Sequence, residues 1–293
     1  MDKFQERLEQ IPTEKIKSRL EKFLCLDFES MSEAEIRAEY CKTLSFSQAG
    51  CFLIPKLLCS QKTKLYRVVN FFNKDSEKTF EEKDFFYRNI QSVSYFWEPP
   101  LEKCLTGRIN IENEQVLYTS ENYTTCIKEC DIKRDDLFFI IVYEVIKDFE
   151  YVPVGLKPKY NDSRNHKNND LILDFQSRIL RKKLTSDNKN YLYKLTQSIA
   201  RTMELFPIVP IAYPSSKDIR FYNFCFTKKQ AHDYLKVYGV WVCKYKSNVK
   251  NFYIGGFYKG DGDENSKPKF YECGSEEQRL YFPEIKLKTE FRK

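Results

Sequence analysis

The stretch from Leu105 to Cys130 contains three side chains that could bind and transform a small anionic molecule. Arg108 follows Gly107; a guanidinium can hold phosphate or carboxylate oxygens with paired hydrogen bonds, and a glycine lets the backbone approach a ligand closely. Tyr118 ends an apolar run, where its ring could stack on a ligand or its hydroxyl could form a hydrogen bond. Glu129 follows in a predicted helix, and its carboxylate could stabilise a positive charge. The stretch is therefore a candidate for a binding and catalytic segment.

Each of these residues also has a purely structural interpretation. Arg108, or Arg67 in the earlier segment LYRV, could pair with an acid at the surface. Tyr118 is one of 20 tyrosines, so a core position fits its pattern equally well. Glu129 could be a solvated glutamate on a helix face. Ser215, which follows a proline, could cap the backbone of a turn instead of binding a ligand. Residue types alone leave both interpretations open.

The cysteines and histidines do not predict a metal site. The chain has 10 cysteines and only two histidines, His166 and His232, and it has no Cys-x-x-Cys pair. Cys126 and Cys130 are one helical turn apart, but no second pair of ligands accompanies them. We interpret the cysteines as reduced thiols that mostly fill the core, and we expect neither a metal nor a bound cofactor.

Bulk properties predict a cytoplasmic protein. The 293 residues are 42% hydrophobic and 16% aromatic, which is enough for a core. The charged start does not resemble a signal peptide, and no run approaches the roughly 18 apolar residues that span a bilayer. The net charge of +7 is a modest excess that by itself favours no class of partner.

The first sixty residues have a helical pattern. Apolar residues recur at helical spacing on both sides of Pro12, which breaks the run. Ser30 and Glu33 have the spacing of a capping box ahead of a third helix. Because the segment carries no catalytic spacing, we interpret residues 1–60 as a helical N-terminal extension that packs on the protein or contacts a partner.

Strand patterns begin after this segment. The runs KLYRVVNFF from Lys64, QVLYTS ending at Ser120 and LFFIIVYEV from Leu137 predict strands, the last of them buried and central. Ser120 is placed to cap a helix that would follow the second run. Residues 150–169 contain two prolines and several asparagines without periodicity, which predicts a loop of about twenty residues.

The rest of the chain predicts two helices, DLILDFQSRILRKKL and NYLYKLTQSIARTMEL, followed by strands at IVPIAYPSS and FYNFCF. In residues 229–293, the segments GVWVCKYK and NFYIGGFYKG alternate as the strands of a hairpin. We therefore expect an α+β protein: a mixed β core with flanking helices in residues 61–228, preceded by the helical extension and followed by a β-rich C-terminal extension that could pack on the core.

Seven short motifs occur in a particular order along the chain. They are LYRV (65–68), GRIN (107–110), VLYTS (116–120), IKE (127–129), YKLTQSIA (193–200), YPSS (213–216) and YNFCF (222–226). None is specific alone, but in this order they resemble the RES domain family, named for its arginine, glutamate and serine, over roughly Lys64 to Thr227. The resemblance implies an ADP-ribosyltransferase-like fold. It also implies an enzyme that cleaves the nicotinamide–ribose bond of NAD⁺, as the toxins of bacterial toxin–antitoxin pairs do.

The resemblance assigns roles to individual residues. It implies that three residues act in catalysis: Glu129, Arg108 and Ser215. It implies that seven more bind NAD⁺: Arg67, Tyr118, Tyr66, Gly107, Asn110, Ser216 and Asn223. Ser216 is also an alternative for the family's serine, because it directly follows Ser215.

Three departures from the family pattern concern turns. Ile109 stands where the family often has an aromatic residue, and the glycine expected soon after Asn110 is missing from IENEQ. The glycine usually found before YPSS is also absent. These differences affect the expected shape of the turns and leave the arginine of GRIN in place.

The chemistry of NAD⁺ cleavage suits these residue types. The pyridinium leaves as a neutral molecule, so no general acid is needed, while positive charge accumulates on the ribose. A carboxylate about 4 Å from that charge contributes on the order of 4 kcal/mol at an effective dielectric constant of about 20. If the attraction acts only in the transition state, it raises the rate about a thousandfold. Glu129 is the candidate for this role, and Arg67 and Arg108 are candidates for binding the diphosphate.

Two other functions stay open at this stage. The same site could transfer ADP-ribose to a macromolecule or to phosphate instead of water. A nucleic-acid-binding protein is the alternative from another class, because aromatic residues alternate with basic ones in KNFYIGGFYKG, although we disfavour nucleic acid as a partner.

We expect NAD⁺ as the substrate, an antitoxin or regulatory protein as a partner, and a homo-oligomer built by the flanking segments. A self-contained phage-defence effector would fit these expectations.

Overall fold

The computed structural model describes residues 3–47, 49–52, 54–71, 90, 92–133, 136–157, 166–183, 185, 189–202, 205–245, 252–259, 268–283 and 285. These residues form an α+β protein with mostly antiparallel strand pairing and several helices. The chain divides into two compact units, each made of three separate segments. Unit 1 comprises Met1–Leu58, Pro100–Val116 and Glu150–Thr227, and unit 2 comprises Cys59–Pro99, Leu117–Phe149 and Lys228–Lys293.

The described part of the chain contains nine α-helices: α1 Lys3–Glu9, α2 Thr13–Leu24, α3 Glu33–Thr43, α4 Tyr123–Glu129, α5 Lys167–Arg181, α6 Lys189–Ala200, α7 Leu205–Ile208, α8 Lys228–Tyr234 and α9 Glu276–Tyr281. Two short 3₁₀ helices lie at Val93–Phe96 and Leu101–Lys103. Within the described residues, none of the helices combines the length and apolar character needed to cross a membrane.

Twelve strands are described: β1 Ser45–Phe46, β2 Gly50–Cys51, β3 Leu57–Cys59, β4 Lys64–Phe71, β5 Val116–Ser120, β6 Leu137–Val145, β7 Phe149–Pro153, β8 Ile211–Pro214, β9 Tyr222–Thr227, β10 Leu235–Tyr245, β11 Phe252–Lys259 and β12 Phe270–Glu272. The runs that predicted β4, β5 and β6 are confirmed, and so is the hairpin of β10 and β11.

Unit 1 is built around α5. The N-terminal helices pack on it: the ring of Phe23 on α2 lies 5.5 Å from that of Phe175, and the Gln176 amide donates to the hydroxyl of Tyr40 on α3 over 2.7 Å. The Asn168 amide donates to the carbonyl oxygens of Leu8 and Ile11, so the junction between α1 and α2 is also attached to α5. In the same unit, β8 pairs antiparallel with β9 and parallel with β7.

Unit 2 is built on an antiparallel sheet with the strand order β12-β11-β10-β6-β4-β5. β6 is almost continuously apolar, as expected of a central strand, and it pairs along most of its length with β4 on one side and β10 on the other. The side chains of Phe138, Ile140 and Val142 project from one face of β6, where they pack with Trp241 and the apolar side of α4. This face forms a core of unit 2.

Two helix caps differ from those predicted. The capping box of α3 is formed by Ser32 and Glu35, with Glu35 N donating to Ser32 Oγ and Ser32 N donating to Glu35 Oε2, so the prediction of Ser30 with Glu33 was wrong. The cap of α4 is Asn122, whose side chain accepts from the Thr125 amide, and the prediction of Ser120 was wrong as well. In both cases a second capping residue lies two positions closer to the helix, where its side chain reaches the free backbone amides.

The predicted loop of residues 150–169 was also wrong at both ends. The strand β7 occupies Phe149–Pro153, and α5 already begins at Lys167. The strand forms because Val152 pairs with Ile211, which is distant in sequence and therefore gives no local pattern. Residues 158–165 of that segment lie outside the described residues.

Candidate active site

The ten candidate residues are divided between the two units. Unit 2 contains Tyr66, Arg67, Tyr118 and Glu129, and unit 1 contains Gly107, Arg108, Asn110, Ser215, Ser216 and Asn223.

In unit 2, the two tyrosines lie on the same face of the β4–β5 pair. Tyr66 is directly opposite Ser120, and residues two apart on a strand face the same side, so Tyr118 shares the face of Tyr66. The Tyr66 ring packs edge-on to Tyr123 of α4 at 5.6 Å and lies 6.1 Å from Trp241. Tyr66 is thus part of an aromatic cluster, whereas Tyr118 is a half-buried residue of β5.

Arg67 projects to the opposite face of β4, because neighbouring strand residues alternate. One of its guanidinium nitrogens, Nη1, donates to the carbonyl oxygen of Trp97, and the adjacent carbonyl, that of Phe96, accepts from the hydroxyl of Tyr143. Burial raises the pKa of Tyr143 to about 12, so this hydroxyl stays protonated and remains a donor. The backbone at Phe96 and Trp97 therefore fixes the orientation of the Arg67 side chain.

Glu129 is the half-buried last residue of α4. The helix is attached to β4 by two thiols: Cys126 donates to the carbonyl of Tyr66 over 3.2 Å, and Cys130 donates to that of Val68 over 3.4 Å. Burial raises the pKa of both thiols, that of Cys130 to about 11, which makes them unreactive and consistent with core positions.

Two of the candidate residues influence the Cys130 thiol. After burial, two charges influence its pKa: the Arg67 guanidinium lowers it and the Glu129 carboxylate raises it. The helix α4, which carries Glu129, packs on the Tyr66 face of β4, whereas Arg67 projects from the other face. The predicted acid and this predicted arginine are therefore carried by neighbouring elements of unit 2, on opposite sides of the strand.

In unit 1, the turn that contains GRIN is held by its own polar groups. The Gly107 amide donates to the Asn110 carbonyl over 3.0 Å, and the buried Asn110 side chain donates to the carbonyls of Leu105 and Ile111. Gln197 of α6 donates to the carbonyls of Gly107 and Asn110, over 2.8 and 2.7 Å. The buried Asn110 side chain thus supports the turn.

The glycine missing from IENEQ has a structural replacement. Asn113 adopts a left-handed backbone conformation with φ of 61°, which asparagine tolerates better than most residues, and its amide donates to the carbonyl of Cys104. The loop therefore closes without the family's glycine.

Arg108 and Ser215 each form hydrogen bonds with residues at the C-terminal end of α5. The Arg108 guanidinium donates to the carbonyls of Leu180 and Lys182, over 2.8 and 3.2 Å, where the helix leaves carbonyl groups without intrahelical partners. At the same helix end, Arg181 donates to the Ser215 carbonyl over 3.1 Å. Both predicted catalytic residues of unit 1 are therefore attached to the same helix end.

The hydroxyl of Ser215 is fully buried and accepts from the amides of Lys217 and Asp218, over 3.1 and 3.2 Å. These contacts match the alternative in which the serine caps a turn. Ser216 follows it in a half-buried position, and Asn223 lies on β9 opposite Tyr213, one residue pair from the same turn. Of the two serines, Ser216 is the more accessible to a ligand.

One charged cluster of unit 2 was missed by the sequence analysis. The Glu98 side chain is only 4% exposed and lies 3.0 Å from the Lys228 ammonium and 3.1 Å from Nε2 of His232, whose ring stacks on Trp97 at 4.2 Å. Burial acts to raise the pKa of Glu98, but hydrogen bonds from its own amide, Lys228 and His232 outweigh it and lower the pKa. No local pattern could have shown this cluster, since its partners are more than a hundred positions apart.

Within the part of the chain that the structure describes, no cluster of three or more histidine, cysteine, aspartate or glutamate side chains has an arrangement that could hold a metal ion.

Comparisons with known proteins identify no relative of this chain. No protein-family model, no curated protein and no solved structure matches it.

Proposed function

We propose that the chain is an NAD⁺-degrading enzyme with an ADP-ribosyltransferase-like fold, a glycohydrolase or phosphorylase that breaks the nicotinamide–ribose bond. The resemblance of its motifs to the RES family suggests the reaction. The observation that supports the proposal most is that α4, which carries Glu129, is attached to β4, the strand of Arg67, by hydrogen bonds from the Cys126 and Cys130 thiols. A carboxylate and a guanidinium are the two charged groups that this substrate requires.

In the proposed reaction, the bond between C1′ of the ribose and the nicotinamide nitrogen breaks, and its electron pair returns to the nitrogen. The pyridinium becomes neutral as it leaves, and the ribose carbon becomes positive. The Glu129 carboxylate stabilises this carbon electrostatically. An oxygen of water or of inorganic phosphate then bonds to C1′; water loses a proton to Glu129 or to the solvent.

Arg67 binds the diphosphate of NAD⁺ in this proposal. Its contact with the Trp97 carbonyl uses one nitrogen of a group with five N–H donors and fixes the guanidinium plane, so little side-chain freedom is lost when a phosphate binds. Tyr118 is assigned to the nicotinamide ring or the ribose. The roles that the resemblance implies for Arg108 and Ser215, and for the remaining residues of unit 1, stay predictions.

The decisive experiment replaces the carboxylate of Glu129 with an amide of the same size. We expect Glu129→Gln to lower nicotinamide release from NAD⁺ at least a hundredfold, because the electrostatic stabilisation of the transition state is lost. Glu112→Gln, which removes a charge from an exposed turn, serves as the matched control and should leave the rate unchanged. Near-normal turnover of Glu129→Gln, with folding verified by circular dichroism, would refute the assignment.

The acceptor is decided by the same assay. Release of free ADP-ribose indicates a glycohydrolase, phosphate-dependent formation of ADP-ribose 1″-phosphate indicates a phosphorylase, and labelling of added protein or nucleic acid indicates an ADP-ribosyltransferase.

The alternative of nucleic-acid binding relied on KNFYIGGFYKG, residues 250–260. Most of its side chains lie outside the described residues.

The proposed activity has consequences in the cell. An enzyme that consumes NAD⁺ without control is toxic, so we propose that the chain acts in the bacterial cytoplasm as a toxin or phage-defence effector. An antitoxin or regulatory protein, or assembly into a homo-oligomer, would restrain it until it is needed.

A further inference from the structure

Unit 1 contains a cleft of about 600 Å³ that none of the proposed catalytic residues lines. Three parts of the chain form its walls: the end of α2 with the turn that follows it, the end of α5, and the first two turns of α6. This volume lies within the range of small-molecule binding sites.

The floor of the cleft is apolar and partly aromatic. Phe28, Ile179, Leu192 and Leu195 are buried there, and the ring of Tyr191 is half-buried at the side. A flat, weakly polar group of a ligand could pack against such a floor.

Two cations stand along one wall. Arg178 lies in the last turn of α5 and Lys182 directly follows the helix, and both side chains are exposed at the cleft. The Lys182 ammonium donates to the Tyr191 hydroxyl over 3.2 Å, which directs it toward the cleft. Among the residues that the structure describes, no carboxylate forms an ion pair with either cation. Their charge is therefore available to an anion such as a phosphate.

Two acids stand in the turn on the other wall, Asp27 and Glu29. The turn is fixed in place, because the Lys194 ammonium of α6 donates to the carbonyls of Glu29 and Met31, and the Glu29 amide donates to the Asp27 carboxylate. Carboxylates at such positions can accept hydrogen bonds from the hydroxyl groups of a ribose.

We propose that this cleft binds a nucleoside monophosphate, with the base on the apolar floor, the ribose hydroxyls on Asp27 and Glu29, and the phosphate on Arg178 and Lys182. The apolar floor, the paired cations and the opposing acids correspond to the three chemical parts of such a molecule. None of the residues that line the cleft is among those proposed to cleave NAD⁺, so the proposed site adds a nucleotide-binding function to the chain, suited to regulation by the cell's nucleotide pool.

Calorimetric titration of the full-length protein tests the proposal with four probes: AMP, adenosine, ribose 5-phosphate and inorganic phosphate. We expect AMP to bind with a Kd below about 1 mM and each of the other three at least about tenfold more weakly. No detectable AMP binding, or inorganic phosphate binding as tightly as AMP, would overturn the proposal, the second because it would reveal an anion site only.

Variants show whether the binding occurs in this cleft. The double variant Arg178→Gln, Lys182→Gln should weaken AMP binding at least about tenfold, while Lys15→Gln, which removes an exposed lysine of α2 outside the cleft, should not change it. Unchanged AMP affinity in the double variant would refute the proposal. Glu129→Gln separates the two proposed functions: it should abolish NAD⁺ cleavage and leave AMP affinity unchanged.

Discussion

Individual residues of the candidate set differ in what their polar groups already contact. Arg108, Asn110 and Ser215 all hydrogen-bond to main-chain groups of unit 1, and these contacts stabilise a helix end and two turns. Arg67 also hydrogen-bonds to a main-chain group, the Trp97 carbonyl, and Glu129 is the last residue of α4. Both predicted arginines therefore contact main-chain carbonyls, one in each unit.

Glu98 gives a prediction at this scale. Its carboxylate is nearly inaccessible and is held by Lys228 and His232, and its pKa is lower than that of an ordinary glutamate. A lowered pKa in the folded protein means that the ionised group stabilises the fold above the pKa of the unfolded state, near 4.3, and that this contribution is lost as the pH falls through the folded pKa.

We expect Glu98→Gln to lower the free energy of unfolding by about 2 kcal/mol at pH 7, since charged hydrogen bonds to a buried group are lost. The difference from wild type should shrink as the pH is lowered to about 4 and below. Urea unfolding across this pH range measures it, with the exposed Glu102→Gln as the control. A destabilisation that stays constant with pH would show that the charge of Glu98 is not responsible.

Single elements of unit 1 depend on close contacts that no sequence pattern predicts. Gly155 follows β7 with φ of 69°, and its amide donates to the buried Gln176 side chain of α5. A Cβ atom at this position would lie 2.6 Å from the backbone nitrogen of Ser177, and a backbone atom cannot move aside as a flexible side chain could. The turn after β7 is therefore fitted to the surface of α5.

Gly155→Ala should destabilise the protein by about 3 kcal/mol or more, because left-handed strain and a clash with the helix backbone act together. Gly50→Ala is a suitable comparison: Gly50 also has a positive φ, 99°, but a Cβ there would meet only Phe4 at 3.9 Å. Strain alone should cost about 1 kcal/mol at that position. Equal losses for the two variants, measured by chemical unfolding, would contradict the proposed clash.

At the scale of the whole molecule, the N-terminal helices are part of a folded unit. The sequence pattern suggested a helical extension over residues 1–60; its helical character is confirmed as far as Thr43, but the strands β1, β2 and β3 occupy parts of residues 45–59. In the structure, Phe23 and Tyr40 pack against Phe175 in the middle of α5, and these helices belong to unit 1. A segment that packs in this way forms part of the hydrophobic core of unit 1 and is not a peripheral extension.

Deleting residues 1–58 should therefore leave unit 1 unable to fold, because Phe175 and Gln176 would lose their partners and expose apolar surface. We expect the truncated protein to aggregate or to lose its near-ultraviolet circular dichroism, and α5 to become susceptible to limited proteolysis. A monodisperse truncated protein with a cooperative thermal transition close to that of the full chain would contradict this expectation.

The sequence by itself determined the helices and strands that carry a pattern of apolar residues within their own length. The apolar run of β6, the alternating strands of β10 and β11 and the amphipathic stripes of α2 and α5 each carry their own periodicity, so their type and approximate position could be predicted. Motif order also supplied the candidate residues, because residue identity does not depend on the fold.

The tertiary structure decided which neighbours each candidate residue contacts. The strand β7 exists through pairing with β8, the Glu98 cluster through partners far along the chain, and the position of α4 against β4 through two thiol hydrogen bonds. Such contacts form between segments that are far apart in the sequence, so no local sequence pattern predicts them. Only folding, by burying both segments against one another, brings their side chains within reach.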